Sequence, residues 1–289
     1  MARKKSPTTH GIAIVDKPTG VTSHDVVAML RLRFNERQVG HGGTLDPSAT
    51  GVLVVAVGKA TKLLRFVEKT RKAYLGEIVF GSETDTLDAD GVVTATYDMG
   101  EVSLADAQAL VAEHFTGEIE QIPPMVSAIK IDGKRLHELA RQGIEVERPA
   151  RPCTIYSFQL LPTDEANVFL AAVECTPGTY IRTLAADLGK MLGGGAHLRN
   201  LRRTAVGRFT IGEAAAPDDC ELLPVEEAVR TLDRVDITDD LAAVVANGRV
   251  LPHFEGDGPW ALFNPAGSLI AVYESYRGEA KPAVVVPQG

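Results

Sequence analysis

Residues 40–58 read GHGGTLDPSATGVLVVAVG and join a turn-rich loop to an apolar run, Val52 to Val57, that no polar residue interrupts. A strand with one wet face alternates. An unbroken run bounded by glycines predicts a central strand buried on both faces. The loop before it is constrained as well. Gly42, Gly43 and Gly51 permit tight turning and close approach of a ligand. Pro47 pushes the residue before it out of helical geometry. Asp46 therefore sits on a rigid loop at the mouth of a central strand, with no His, Cys or second acid beside it. Two readings follow. The carboxylate is a nucleophile or general base, or it bonds its own backbone in an Asx turn.

Around this centre the chain alternates strands and helices. GIAIVDKP predicts a strand stopped by Pro18. TSHDVVAMLRLRF predicts a helix capped by Thr22 or Ser23, with Val26, Val27, Leu30 and Phe34 on one face. ATKLLRFVEKT predicts a helix and YLGEIVFG a strand. SLADAQALVAEHFTG predicts a helix that Ser103 caps and Gly117 ends. In the charged middle segment, AIKIDGKRL predicts a hairpin on its Asp-Gly turn, and LHELARQG a short helix. Two strands follow, CTIYSFQLL and VFLAAVEC. GTYIRTLAADLGKMLGGG predicts a helix capped by Thr179, and HLRNLRRTAVGRFTI a last strand. The alternation points to parallel βαβ units. Residues 1–10 are expected to be a disordered tail, 213–232 a linker with a short helix, and 233–289 a small β-rich domain of short strands between turns.

The net charge of −8 is unevenly spread. Residues 1–72 hold 13 Lys/Arg against 5 Asp/Glu, and residues 182–212 hold 6 against 1, whereas residues 213–289 hold 5 against 14. Two basic segments, at the Asp46 loop and at RNLRRTAVGR, would make a face for a polyanion if folding joins them; otherwise they are solvated charges on separate faces. Cys153, Cys175 and Cys220 are odd in number and widely spaced, which predicts neither a disulfide framework nor a zinc site and implies a reducing, cytoplasmic setting. No apolar stretch approaches the ~20 residues of a membrane span, and the basic MARKKSPTTH has no apolar core of a signal peptide behind it.

Other motifs are weaker. DTLDADG has the look of a calcium loop, but Thr86 and Tyr97 stand where that loop needs an acid and a Glu. GTYIRT places Tyr180 and Arg182 two apart near a helix start. An arginine reaching Asp46 would keep the carboxylate ionised.

Six segments, DKPTGVTSHDVV, GHGGTLDPSATGVL, KAYLGEIVFGSETDTLDADG, IPPMVSAIKIDGKRLHELARQG, CTPGTYIRTLAADLG and HLRNLRRTAVG, stand in the order of the bacterial TruB family of tRNA pseudouridine-55 synthases. The chain resembles that family from about Gly11 to Phe209. The resemblance replaces the parallel βαβ expectation with an α+β pseudouridine synthase fold. That fold has a mixed, mainly antiparallel sheet flanked by helices, and the family often adds a small PUA-like C-terminal domain. It implies a catalytic domain over 11–212, with a thumb-like insertion at about 123–152 that grips the T-arm of tRNA.

The resemblance also implies the chemistry: base flipping and Asp-dependent rearrangement of a uridine from an N- to a C-glycosidic bond, without metal or organic cofactor. Asp46 is the implied catalytic carboxylate, Tyr74 the ring that stacks on the flipped uracil, and Arg182 the partner of the acid. Tyr180 and Leu201 are implied to line the pocket. His41 would contact RNA where the base leaves the stack, and Lys17 and Pro18 would lie near the bound arm. No protein partner or membrane is implied, and a monomer is expected. The chain departs from the pattern at Pro177, where a basic residue is common, and in its acidic C-terminal region. A nucleoside or glycoside hydrolase using Asp85, Asp88 or Asp90 as a second carboxylate, and a tRNA-folding protein without catalysis, are the alternatives.

Overall fold

The computed structural model describes residues 8–127, 129–131 and 133–287. The chain begins with Gly11–Lys17 (β1), Ser23–Arg33 (α1), Val39–His41 (β2), Thr50–Val57 (β3) and Leu64–Glu68 (α2). It continues with Lys72–Phe80 (β4), Ser82–Thr84 (β5), Val93–Thr96 (β6), Leu104–His114 (α3), Gly117–Gln121 (β7), Lys130–Ile131 (β8), Lys134–Arg135 (β9) and Leu136–Ala140 (α4). Arg151–Pro162 (β10), Val168–Cys175 (β11), Ile181–Met191 (α5) and Ala196–Val206 (β12) follow. The last elements are Phe209–Thr210 (β13), Asp233–Asp236 (β14), Asp239–Ala246 (α6), Leu251–Pro252 (β15), Trp260–Phe263 (β16), Leu269–Tyr276 (β17) and Glu279–Val285 (β18).

Contacts divide the chain into two units. The first holds residues 1–47, 51–70 and 206–289, and the second holds 48–50 and 71–205. In the first, β3 pairs antiparallel with β1 and β2. Every side chain from Val52 to Val57 is fully buried. Val52, Val54 and Ala56 join a cluster with Ile12, Ile14 and Phe66, while Leu53, Val55 and Val57 join another with Val26, Val27 and Leu30. This two-sided burial is why the run lacks alternation. Thr22 caps α1 in a full capping box with Asp25.

The C-terminal strands form a five-stranded sheet in the order β14-β16-β17-β18-β15. Ala261, Phe263, Leu269 and Val272 share the cluster of Ile12 and Val52, so this sheet and the N-terminal strands have one core. The region expected as short strands alone also contains α6. Thr238 caps it, Asp239 and Asp240 lie in its first turn, and Asn247 ends it; these are ordinary helix signals hidden in a short, turn-rich stretch.

In the second unit the sheet runs β12-β4-β11-β10-β7. β4 pairs antiparallel with β11, β11 with β10 and β10 with β7. The parallel βαβ expectation is thus overturned. A hairpin turn at residues 163–167, with Asn167 at a φ of 57°, sets the direction of β10 and β11, and the flanking helices do not. Ser103 caps α3, whose Ala107 and Val111 are buried against β10 and β11 side chains. The expected hairpin in the middle segment exists as β8 and β9; Asp132 of its turn lies outside the described residues, as do residues 1–7 of the expected tail. Thr8 donates its amide to the Glu36 carboxylate, and the His10 ring accepts from the amide of Lys59. All three cysteines are buried thiols. Burial pushes Cys175 up to about 12. No helix among the described residues is long and apolar enough to cross a membrane.

Candidate active site

In the first unit, the loop from Gly42 to Pro47 is pinned on both sides of Asp46. Upstream, buried Leu45 donates its amide to the Ser23 hydroxyl at 2.9 Å and accepts that hydroxyl at its carbonyl at 3.1 Å. Downstream, the Pro47 carbonyl accepts from the Gly20 amide at 2.9 Å and from Lys17 Nζ at 3.0 Å. Lys17 Nζ also donates to the carbonyls of Val21 at 2.7 Å and Pro18 at 2.9 Å. Lys17 is 0% exposed. A buried ammonium must be paired, and here its hydrogen bonds tie the DKPTG turn to the Asp46 loop. The structure thus gives Lys17 a loop-holding task, whereas Pro18 is exposed. Gly42 lets the loop run close over α2, since a Cβ there would come within 2.9 Å of Val67. Asp46 itself is half-buried. His41, at the end of β2, stands edge-on to His24 with ring centres 5.6 Å apart.

The second unit carries the other expected residues. Tyr74, half-buried on β4 opposite Val173, packs against the same apolar cluster as Leu201 of β12. Gly76, two residues on and on the same face, makes room for this. A Cβ there would stand 3.1 Å from Leu198 and 3.4 Å from Leu201. Tyr180 is the N-cap of α5, with no side-chain cap bond. The expected cap, Thr179, instead donates its hydroxyl to the Thr176 carbonyl. Gln121 displaces the helix start by one residue, because it binds the backbone of Tyr180 at both its N–H and its C=O.

Arg182 is 4% exposed. Its guanidinium donates to the carbonyls of Thr86 at 2.9 Å and Val126 at 3.0 Å, and pairs with Asp88 at 3.3 Å. The DTLDADG turn is therefore a socket for this arginine. Asp88 also accepts from the Thr86 hydroxyl, and Asp85 accepts the Val92 amide. Both acids are thus hydrogen-bonded within the turn. Among the described residues, no group of His, Cys, Asp or Glu side chains is arranged to hold a metal ion.

The second basic segment is less available than its sequence implied. Arg199 is bound by Glu77 at 2.6 Å and Glu165 at 2.7 Å, and Arg203 is 1% exposed. Arg202 donates to the Thr50 hydroxyl. Gln121 and Gly76 had no signal of their own in the sequence, and Ser23 and Asp88 had none for the roles they take here, because each acts on a residue distant along the chain or through the absence of a side chain.

Residues 31–181 match the family model described as "TruB family pseudouridylate synthase (N terminal domain)". Residues 182–234 and 232–287 match the models "tRNA pseudouridylate synthase B C-terminal domain" and "tRNA Pseudouridine synthase II, C terminal". The chain belongs to the TruB family. TruB relatives extend along nearly all of it. The tRNA pseudouridine synthase B of Streptomyces griseus subsp. griseus is 44% identical, covering 98% of this chain and 99% of that protein. That of Geobacillus thermodenitrificans is 41% identical, over 96% and 98%. Among solved structures, a Cbf5-Nop10-Gar1 complex contains a chain similar to this TruB member, with a TM-score of 0.73 and 27% identity over 96% of this chain and 84% of that one.

Proposed function

We propose that this TruB-family enzyme converts uridine 55 in the T-arm of tRNA to pseudouridine, with the Asp46 carboxylate as its catalytic group. The reaction breaks the bond between ribose C1′ and uracil N1 and forms one between C1′ and C5. The proton leaving C5 is balanced by one gained at N1, so the RNA keeps its mass. One carboxylate is enough for covalent or electrostatic help at the anomeric carbon. The detached base must be retained meanwhile, which calls for a stacking wall and exclusion of water.

Tyr74 is the stacking ring of this reading, Tyr180 and Leu201 line the pocket, and Arg182 holds the acid ionised. His41 meets the RNA where the base is extruded, a step costing a few kcal/mol that pocket contacts offset. Residues 123–152 grip the T-arm. The observation that supports the reading most is the anchoring of the Asp46 loop. Its neighbours Leu45 and Pro47 are each held by two hydrogen bonds, so the backbone on both sides of Asp46 is held before substrate arrives. Asp46→Asn is expected to abolish turnover while tRNA affinity stays within a few fold. Normal turnover by that variant would refute the assignment.

A further inference from the structure

We infer that Gln121 is a positioning residue for the uridine pocket, an inference that rests on the pocket role proposed above for Tyr180. Gln121 ends β7 and is 4% exposed. Its Oε1 accepts from the Tyr180 N–H at 3.0 Å, and its Nε2 donates to the Tyr180 carbonyl at 3.2 Å. One side chain thereby engages both backbone groups of a residue 59 positions away, as a neighbouring strand would.

Two consequences follow. The first concerns the direction of the tyrosine. Tyr180 is extended, with φ −101° and ψ 106°, and its carbonyl also accepts from the amides of Thr183 at 3.1 Å and Leu184 at 3.2 Å. The Gln121 carboxamide holds this residue out of the helix, so α5 begins at Ile181 and the Tyr180 ring leaves from an extended backbone. A side chain's direction is tied to its backbone dihedrals.

The second concerns coupling. Gln121 is the last residue of β7 before the insertion, and Arg182 donates to the carbonyl of Val126, five residues further along. The start of α5 is therefore bonded to the root of the insertion at 121 and again at 126. A shift of that root when RNA is gripped reaches Tyr180 and Arg182 through these bonds. Gln121 needs no contact with uridine to do this.

The test compares single-turnover rate and tRNA affinity in Gln121→Glu, Gln121→Ala and Tyr180→Ala. Glutamate keeps the shape and the acceptor for the Tyr180 N–H, but has no N–H for the carbonyl. A misplacement of about 1 Å in a reacting geometry costs ~10²-fold. The expected result for Gln121→Glu is thus a rate lower by about ten- to a hundredfold, with tRNA Kd within twofold and an unchanged far-ultraviolet spectrum. Gln121→Ala, which buries no new charge, should show the same split and serves if the glutamate variant does not fold. Wild-type rates in both Gln121 variants beside a slow Tyr180→Ala would overturn the inference. So would a loss appearing only in Kd, or failure of both variants to fold. A wild-type rate in Tyr180→Ala would instead sink the pocket reading of Tyr180.

Discussion

Replacing Lys17 by methionine keeps the buried stem and removes the ammonium that ties the DKPTG turn to the Asp46 loop. Three carbonyls, of Pro18, Val21 and Pro47, lose a charged donor at 2.9, 2.7 and 3.0 Å. Hydrogen bonds to charged groups contribute about 1.5–3 kcal/mol each, so about 6 kcal/mol of favourable interaction is lost. Relief from burying an ammonium, which costs several kcal/mol, offsets part of this. A net destabilisation of about 2–4 kcal/mol remains, equivalent to a fall in Tm of roughly 4–16 °C at ~2–4 °C per kcal/mol. The loop should suffer more than the global fold. Pro47 keeps only the Gly20 amide among these two anchors, so the carboxylate beside it gains freedom. The assay pairs thermal melting with single-turnover kinetics on unmodified tRNA, at a temperature where both proteins are folded. The folded variant should be slower by about tenfold or more. A melting temperature within 1 °C of wild type together with an unchanged rate would show that the buried ammonium does not organise this loop.

Asp88→Asn removes the carboxylate from the Arg182 socket but leaves the Thr86 and Val126 carbonyls in place. With a side chain only 5% exposed on the arginine, the variant should lose about 1–3 kcal/mol in urea denaturation, and unchanged stability would mean that the pair contributes nothing. Glu213 offers a pH test. The Arg230 guanidinium, helped by Thr210, lowers its pKa from 4.5 to about 2. A depressed folded-state pKa means that its stabilisation is present above about pH 4.5 and is lost as pH falls towards 2. Glu213→Gln should therefore melt below wild type at pH 6 and converge with it near pH 2, and a difference independent of pH would count against the ion pair.

Local chemistry made part of this structure legible. The unbroken Val52–Val57 run announced a strand buried on both faces, and Thr22 and Ser103 announced two helix starts. Asp46 was legible as a constrained acid from its glycines and Pro47, and the catalytic role proposed for it rests on resemblance alone. What stayed hidden acts over long range. Lys17 looks like a cation for RNA, and nothing beside it reveals that its ammonium meets a carbonyl 30 residues away. Thr179 looks like a cap, but the helix start is decided by Gln121. Arg199 and Arg203 read as a basic face until Glu77, Glu165 and burial are seen. The alternation of helices and strands carries no information on strand direction, which a five-residue turn set instead.

The central claim is tested most directly by incubating the protein with unmodified tRNA and mapping pseudouridine at single-nucleotide resolution, with Asp46→Asn beside it. The account predicts conversion at position 55, RNA of unchanged mass, and no conversion by the variant. Free uracil with an abasic site, or equal conversion by Asp46→Asn, would contradict it.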